Sequence, residues 1–278
     1  MTPEASEICL RSKIAVFAGR GILPELLANR LEKAGASPRY LALDGCVPGW
    51  LADREHTLIT FTDFLPKFAD QFKDGCRTAV FAGSIGRPRI ADGSSGLAID
   101  IESGDDAAIR KFVGIIEDIG FRIVGSHEFL PELLAGPGIL SRARPDEAAQ
   151  RDTSIAARIV RALGAVDVGQ AAVVAQGVCL GVEAVEGTDH LIRSSGLAKR
   201  LLPRPEIRSG VLYKAPKPQQ ELRLDFPVIG PDTPAGVARA GLAGIAFEAN
   251  GVMILDRAKT VELADEAGIF IWSRDSEA

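Results

Sequence analysis

Short apolar runs and amphipathic segments alternate along the first half of the chain. The runs at 13–18 (KIAVFA) and 39–43 (RYLAL) predict buried strands. Between them, apolar residues recur at helical spacing after Pro24, a residue that suits a first helical turn. This βαβ order predicts an open parallel sheet. The same alternation continues with predicted helices at 61–72 and 105–119 and predicted strands at 78–82 and 121–124.

The pattern changes after a segment rich in proline and glycine at 136–150. Beyond it, strands and helices no longer alternate regularly, which predicts a mixed α+β domain. Asn250-Gly251 between two apolar runs predicts a hairpin, because both residues tolerate positive φ. We therefore predict an α/β fold class with a parallel-sheet domain at 1–141 and a separate α+β domain at 142–278. Further predicted elements are a helix at 152–163 and strands at 171–186 (two strands), 209–215, 221–226 and 268–272.

Composition and charge narrow the function classes. Of the 278 residues, 46% are hydrophobic and 25% are charged, which is typical of a folded globular protein. The net charge of −5 argues against a general nucleic-acid binder. No apolar run reaches the length of a membrane span, and the acidic N-terminus does not resemble a signal peptide, so we expect a cytoplasmic protein. The four cysteines and three histidines are dispersed, which disfavours a zinc site.

Two glycine-rich turns follow predicted strands. Gly19-Arg20-Gly21 leads into a helix, so its amides suit a phosphate, although the same pattern is found in plain tight turns. Asp44 ends the next strand, where a dinucleotide-binding fold places its ribose acid, but Pro24 occupies the place of the third glycine in that motif. The second turn, at 82–88 (AGSIGRP), is either an anion-binding loop or a flexible connection.

Two polar clusters in the second half suggest chemistry. Acids and Thr188 crowd the segment 183–189, where they either cap a helix or bind Mg²⁺. In the segment 214–227, two lysines precede a predicted strand with Glu221, Arg223 and Asp225 on one face. That face is either a functional constellation or a solvated edge with an ion pair.

A stripe of aromatic residues lies in the predicted helix at 61–72. Their spacing of three and four residues places them on one side, as core residues or as a surface for lipid chains. The members are Phe61, Phe64, Leu65, Phe68 and Phe72.

Taken together, the motifs resemble those of the LpxI family of UDP-2,3-diacylglucosamine diphosphatases. The resemblance extends from about residue 13 to 273. It implies a Rossmann-like N-terminal domain joined to a separate C-terminal domain with the active site between them. The motifs are GRGILP, AGSIGRP, GQAAVVAQGVCLGVEAVEGTD, KAPKPQQELRLDFPVIGPDT and AGLAGIAFEANGVMILD.

The resemblance implies hydrolysis of UDP-2,3-diacylglucosamine to lipid X (2,3-diacylglucosamine 1-phosphate) and UMP in lipid A biosynthesis, with Mg²⁺ as cofactor. It points to Asp225 as the catalytic acid, which acts as a metal ligand or a general base. Asp189 is our second candidate metal ligand, and Glu221 replaces an expected aspartate, which argues against a metal role for Glu221. The substrate-binding candidates are Gly19, Gly21, Leu23, Gly83, Ser84, Ile85, Gln170, Thr188, Lys214 and Lys217.

A substrate with two acyl chains implies peripheral contact with lipid at the cytosolic face of the inner membrane. We expect no nucleic-acid partner, and the resemblance leaves a homodimer open. Two other function classes stay open on the residues alone. The Gly19, Gly21 and Asp44 pattern suits an NAD(P)-dependent oxidoreductase, and a non-catalytic nucleotide-sugar sensor would bind the same ligand without needing Asp225.

Overall fold

A computed structural model describes residues 1–11, 13–60, 62–84 and 105–276 of the chain. The chain forms two compact units, one of Met1–Glu132 and Glu221–Asp225 and the other of Leu133–Gln220 and Phe226–Ala278. The boundary between the units therefore comes before residue 141, the predicted end of the first domain. Leu134 already forms a β-bridge with Met253 of the second unit. The segment 221–225 belongs to the first unit, although we had expected it in the second domain.

The first unit contains an all-parallel sheet in the order β3-β2-β1-β4-β5. Its central strand β1 is almost wholly buried, as its apolar sequence predicts. The sequence reading missed the short strand β3 and the first helix. The elements are α1 (Pro3–Arg11), β1 (Lys13–Ala18), α2 (Leu23–Lys33), β2 (Ser37–Leu43), β3 (His56–Ile59), α3 (Phe64–Lys73), β4 (Cys76–Ala82), α4 (Asp105–Asp118), β5 (Arg122–Ile123) and α5 (Ser126–Phe129).

The aromatic stripe is part of the core of this unit. Phe64 and Phe68 are buried, and their rings stack at 5.2 Å between centroids. Phe72 packs edge-on against the buried Phe121. Phe61 lies outside the described residues. The interpretation of the stripe as a lipid surface is therefore wrong for its described members, because their side chains pack in the apolar core of the first unit.

The second unit is built on a mixed sheet in the order β6-β13-β11-β9-β7-β8. Strands β13, β11 and β9 are parallel, and β6, β7 and β8 run antiparallel to their neighbours. The elements are β6 (Gly138–Ile139), α6 (Glu147–Ala165), β7 (Ala171–Ala175), β8 (Val178–Val182), α7 (Thr188–Ala198), β9 (Val211–Lys214), β10 (Val228–Ile229), α8 (Asp232–Arg239), β11 (Gly244–Glu248), β12 (Met253–Ile254), α9 (Arg257–Ala267) and β13 (Phe270–Arg274).

Two predicted elements of the second half are wrong. The turn at Asn250-Gly251 exists, but β11 pairs with β9 and β13, whereas β12 pairs with β10 in a separate two-stranded sheet. The predicted strand at 221–226 is a turn, in which the N–H groups of Leu224 and Asp225 both donate to the carbonyl of Glu221. The side chains of this segment therefore do not alternate between two faces.

No described helix is both long and apolar enough to cross a membrane.

Candidate functional site

The loops that follow β1 and β4 are hydrogen-bonded to each other. The N–H of Arg20 donates to the Ser84 carbonyl at 2.8 Å, and the N–H of Ser84 donates to the Arg20 carbonyl at 3.1 Å. A Cβ on Gly19 would lie 2.8 Å from the Gly83 backbone, and one on Gly83, with φ +82°, would lie 2.4 Å from the Arg20 carbonyl oxygen. These two positions require glycine because the backbones approach too closely for a side chain.

The hydrogen bonds between these two loops occupy several backbone amides that the sequence predicts as phosphate ligands. The N–H of Gly19 donates to the Ala82 carbonyl at 2.8 Å, so it is bonded like those of Arg20 and Ser84. Gly21 follows with φ +95°, and Leu23, the first residue of α2, is buried. Ile85 lies outside the described residues. In this loop, the amides still without a partner in the described part of the chain are those of Gly21 and Ile22, at the start of α2.

A polar cleft of about 470 Å³ opens beside Gly21. It lies at the carboxyl ends of β1 and β2, where open parallel sheets bind ligands. The guanidinium of Arg20 reaches across it and donates to Cys46 Sγ at 3.0 Å. Asp44 is exposed and precedes Gly45, and its side chain is not part of the lining of the cleft. The lining includes Arg20, Gly21, Glu25, Gly45, Cys46 and Trp50.

Polar residues of the second unit gather at one end of its sheet. Lys214 ends β9 and stands in register with Ala171 on β7. The N–H of Glu183, just after β8, donates to the Ala171 carbonyl at 2.8 Å. Gln170 precedes β7, and its carbonyl accepts from the N–H of Ala215 at 3.0 Å. Because β7 is antiparallel to both neighbours, these three residues come to the same edge.

Thr188 links Lys214 to Glu183. Lys214 Nζ lies 2.8 Å from Thr188 Oγ1, which lies 2.7 Å from Glu183 Oε1. An ammonium group only donates and an ionised carboxylate only accepts, so the hydroxyl accepts from Lys214 and donates to Glu183. Lys214 is 5% exposed and Glu183 is 7% exposed. Both charged groups are therefore held in one orientation by a single hydroxyl.

The same arrangement places an ammonium group beside a helix N-terminus, a combination that suits a phosphate group. Thr188 is the first residue of α7, so the unpaired amides and the positive dipole end of that helix lie beside Lys214. Lys214 donates one hydrogen bond to Thr188, and its other N–H bonds have no partner in the described part of the chain. Asp189, the next residue of α7, is exposed and adds a carboxylate at the rim.

Lys217 is engaged differently from Lys214. Its ammonium forms an ion pair with Asp167, and its backbone N–H donates to Gln220 Oε1 at 2.9 Å. The side-chain amide of Gln220 in turn donates to Gln170 Oε1 at 3.1 Å. Since Asp167 offsets the charge of Lys217, Lys214 supplies the positive charge that has no acidic partner in direct contact.

Asp225 lies in the 221–225 turn, which an arginine holds against the first unit. Arg223 donates to both carboxylate oxygens of Glu221, at 2.8 and 2.7 Å, and to Glu117 Oε1 at 2.8 Å. The hydrogen bond from Arg223 keeps the pKa of Glu221 below its ordinary value. Leu224 packs against the apolar core of the first unit, and the Asp225 N–H donates to the Glu221 carbonyl at 3.0 Å. Both oxygens of Glu221 are used by Arg223, so this residue is poorly placed to bind a metal.

The acids present suit a hard cation but do not form a complete cage. Among the described residues, no three Asp, Glu, His or Cys side chains stand close enough together to hold a metal. The candidate ligands Asp225 and Asp189 belong to different units. Magnesium is commonly bound through one or two carboxylates, with water and substrate phosphates completing its shell, so either carboxylate alone has the chemistry to hold Mg²⁺ together with a phosphorylated substrate.

Glu183 is a polar residue of this cluster that the sequence does not single out. The sequence indicates an acidic cluster at 183–189 and favours Asp189 within it. Oε2 of Glu183 is buried and has no hydrogen-bond partner among the described residues. Its burial and its contact with Thr188 depend on pairing with β7, and the local sequence carries no signal for that pairing.

Comparison with known proteins gives matches over both units. A sequence profile for the LpxI N-terminal domain matches residues 13–133, and one for the LpxI C-terminal domain matches residues 136–272. A protein from Caulobacter vibrioides, the UDP-2,3-diacylglucosamine pyrophosphatase LpxI, is 35% identical over 275 residues. The aligned region covers 95% of this chain and 98% of that protein.

Proposed function

Because the chain belongs to the LpxI family, we propose that it hydrolyses the diphosphate bond of UDP-2,3-diacylglucosamine in lipid A biosynthesis. The products are lipid X and UMP. The observation that carries this proposal is the buried Lys214 beside Thr188 at the start of α7, since a diphosphate needs concentrated positive charge. An NAD(P)-dependent oxidoreductase receives no such support, because Asp44 is outside the cleft of the first unit.

In this reaction a water oxygen bonds to one phosphorus while the bond from that phosphorus to the bridging oxygen breaks. The proton lost by the water has to be accepted, and the two monophosphates carry the added charge. Lys214 and the first amides of α7 stabilise negative charge on the phosphate oxygens. Thr188 keeps the Lys214 ammonium oriented, which lowers the cost of reorganisation during the reaction.

Asp225 supplies the acid that the reaction requires, either as general base toward the water or as a ligand of Mg²⁺. When bound, Mg²⁺ neutralises phosphate charge and acts as a Lewis acid. The turn that carries Asp225 supports either role, because Arg223 and Leu224 fix its backbone. A substrate with two acyl chains also places the enzyme in peripheral contact with the cytosolic face of the inner membrane.

The test compares Asp225→Asn with Asp232→Asn, an exposed carboxylate outside the site. Loss of a positioned base costs about 10²–10⁴-fold in rate, so turnover of Asp225→Asn should fall by at least 10²-fold while Asp232→Asn stays within about twofold. Thermal unfolding verifies that both variants are folded.

Hydrolysis in ¹⁸O-labelled water, followed by mass spectrometry, identifies the phosphorus that is attacked, and label in UMP assigns attack to the UMP side. A folded Asp225→Asn protein with near-normal turnover would contradict the proposed role. A wild-type protein that binds the substrate without hydrolysing it would favour the sensor.

A further inference from the structure

One solvent-facing side of α7 carries both basic and large apolar side chains, and the proposed reaction does not use them. The helical backbone continues from α7 through a 3₁₀ turn at Lys199–Leu201. The solvent-facing positions along it recur every three or four residues. Two of them are large and apolar, with Leu197 69% exposed and Leu201 82% exposed. The exposed stripe consists of His190, Arg193, Leu197, Arg200 and Leu201.

Positive charge is concentrated around these leucines. In a chain of net charge −5, the segment 190–208 holds five Lys and Arg residues and a single acid, Glu206. The guanidinium groups of Arg193, Arg200 and Arg204 form no ion pair with any described residue. Three exposed arginines therefore lie beside two exposed leucines, so this surface combines positive charge with large apolar side chains.

The segment is held firmly on the second unit. Leu202 is buried, and Lys199 Nζ donates to the Gly241 carbonyl at 2.7 Å. The side-chain amide of Gln176 donates to the Arg204 carbonyl at 2.8 Å. Gly196 of α7 lies so close to Ala240 that an added Cβ would be 3.0 Å from its Cα. The exposed stripe is therefore a fixed surface.

We propose that this surface, the α7 platform (Arg193, Leu197, Arg200, Leu201 and Arg204), docks on a bilayer that contains anionic phospholipid. Leucine and arginine side chains together match the two layers of a membrane interface, because leucine enters the acyl boundary while arginine remains at the phosphate level. A nucleic acid would pair with the arginines but would leave the leucines exposed. A bilayer contacts both kinds of side chain, because its phosphates pair with the arginines and its acyl chains cover the leucines.

The inference rests on the proposed function in one respect. A substrate with two acyl chains resides in a membrane, so the enzyme gains from being held at the surface where that substrate lies. Because the aromatic stripe of α3 is core, the α7 platform replaces it as the surface for this contact.

The experiment is co-sedimentation of the full chain with vesicles of phosphatidylcholine alone or with 30% phosphatidylglycerol. We expect binding to the anionic vesicles, weakened by salt, and little binding to the neutral ones. Replacement of Arg193, Arg200 and Arg204 by Gln should lower the partition coefficient by about fivefold per residue. Leu197→Glu with Leu201→Glu should lower it by at least about tenfold.

Matched controls come from α6, which lies in the same unit. Gln replacement of Arg151, Arg158 and Arg161, all exposed, removes the same charge from another helix and should leave binding within about twofold. Equal loss in this control, or no binding of the wild type to anionic vesicles, would overturn the proposal. The proposal would also be overturned if the wild type self-associates through Leu197 and Leu201 in sedimentation velocity and does not bind vesicles. The α7 platform would then be a protein–protein interface.

Hydrolysis of substrate in detergent micelles is measured in parallel. The α7 platform variants should keep this activity, because they leave Lys214 and Thr188 in place. If the wild type binds anionic vesicles but does not hydrolyse the micellar substrate, the proposed function is wrong, whereas the proposal of a membrane-docking surface is still supported.

Discussion

Replacing Thr188 by valine tests the core of the candidate site with almost no change in side-chain volume. The hydroxyl makes two short hydrogen bonds, to Lys214 Nζ at 2.8 Å and to Glu183 Oε1 at 2.7 Å. Both partners are charged and more than nine-tenths buried, so water cannot replace the hydroxyl easily. Valine would leave the Glu183 carboxylate without a hydrogen bond from any described residue.

The expected cost follows from these contacts. A hydrogen bond to a charged group contributes about 1.5–3 kcal/mol, and the two bonds share one atom, so their loss is not additive. We expect the free energy of unfolding to fall by about 2–4 kcal/mol. The Lys214 ammonium also loses its fixed position, and a displacement of about 1 Å can cost 10²-fold in rate. We therefore expect kcat/KM to fall by about 10–10²-fold.

Urea unfolding and steady-state hydrolysis measure the two effects separately. Thr188→Ser keeps the hydroxyl and should retain most of the activity. The matched control is Thr260→Val, because Thr260 is fully buried and its hydroxyl donates to the Leu255 carbonyl at 2.7 Å, away from the site. This control should lower stability by about 1 kcal/mol and leave kcat/KM unchanged. The reasoning fails if Thr188→Val behaves like Thr260→Val, or if Thr188→Ser is as impaired as Thr188→Val.

Three further outcomes are expected. Removal of divalent cations with EDTA should abolish hydrolysis. Mg²⁺ should restore activity better than Zn²⁺, because the candidate ligands are hard oxygens. Full turnover after chelation would contradict this prediction. The pKa of Glu221 is lowered by its hydrogen bond with Arg223, so its ionisation stabilises the fold above about pH 4.3 and this contribution disappears as the pH falls further. Glu221→Gln should therefore melt below wild type at pH 7, and the gap should narrow progressively as the pH is lowered below about 4.3. A gap independent of pH would count against the pair. Gly83→Ala should destabilise the protein by about 1–3 kcal/mol, since its Cβ would meet the Arg20 carbonyl oxygen at 2.4 Å, whereas Gly136→Ala has open space and should melt like wild type.

The family of the chain could be predicted from motifs in the sequence. Long segments such as KAPKPQQELRLDFP identified the family, and the matches to both LpxI domains confirm that identification. The proposed phosphate-binding role of Lys214 and Thr188 could be predicted from residue type, because type alone decides charge and hydrogen-bonding capacity. The residues that Lys214 and Thr188 contact in the folded protein could not be predicted from residue type.

Local periodicity predicted the central strands of the first unit's parallel sheet. Strands β1 and β4 are almost wholly buried, so their apolar runs are continuous and depend little on the partner strand. The turns at Gln176-Gly177 and Asn250-Gly251 are equally local, and φ is positive at Gln176, Gly177 and Asn250. Only the first joins two paired strands, because the pairing of β11 and β12 depends on strands far away in the sequence.

Tertiary structure decided the rest through contacts between distant segments. The aromatic stripe of α3 and the leucines of α7 are alike as amphipathic patterns, yet the first faces a sheet and the second faces solvent. The turn at 221–225 joins the first unit because Arg223 reaches Glu117, more than a hundred residues earlier in the chain. Glu183 became a site residue only when β8 paired with β7 and brought it to Thr188. Sequence pattern records which residues prefer burial, whereas the identity of each neighbour is determined by long-range packing.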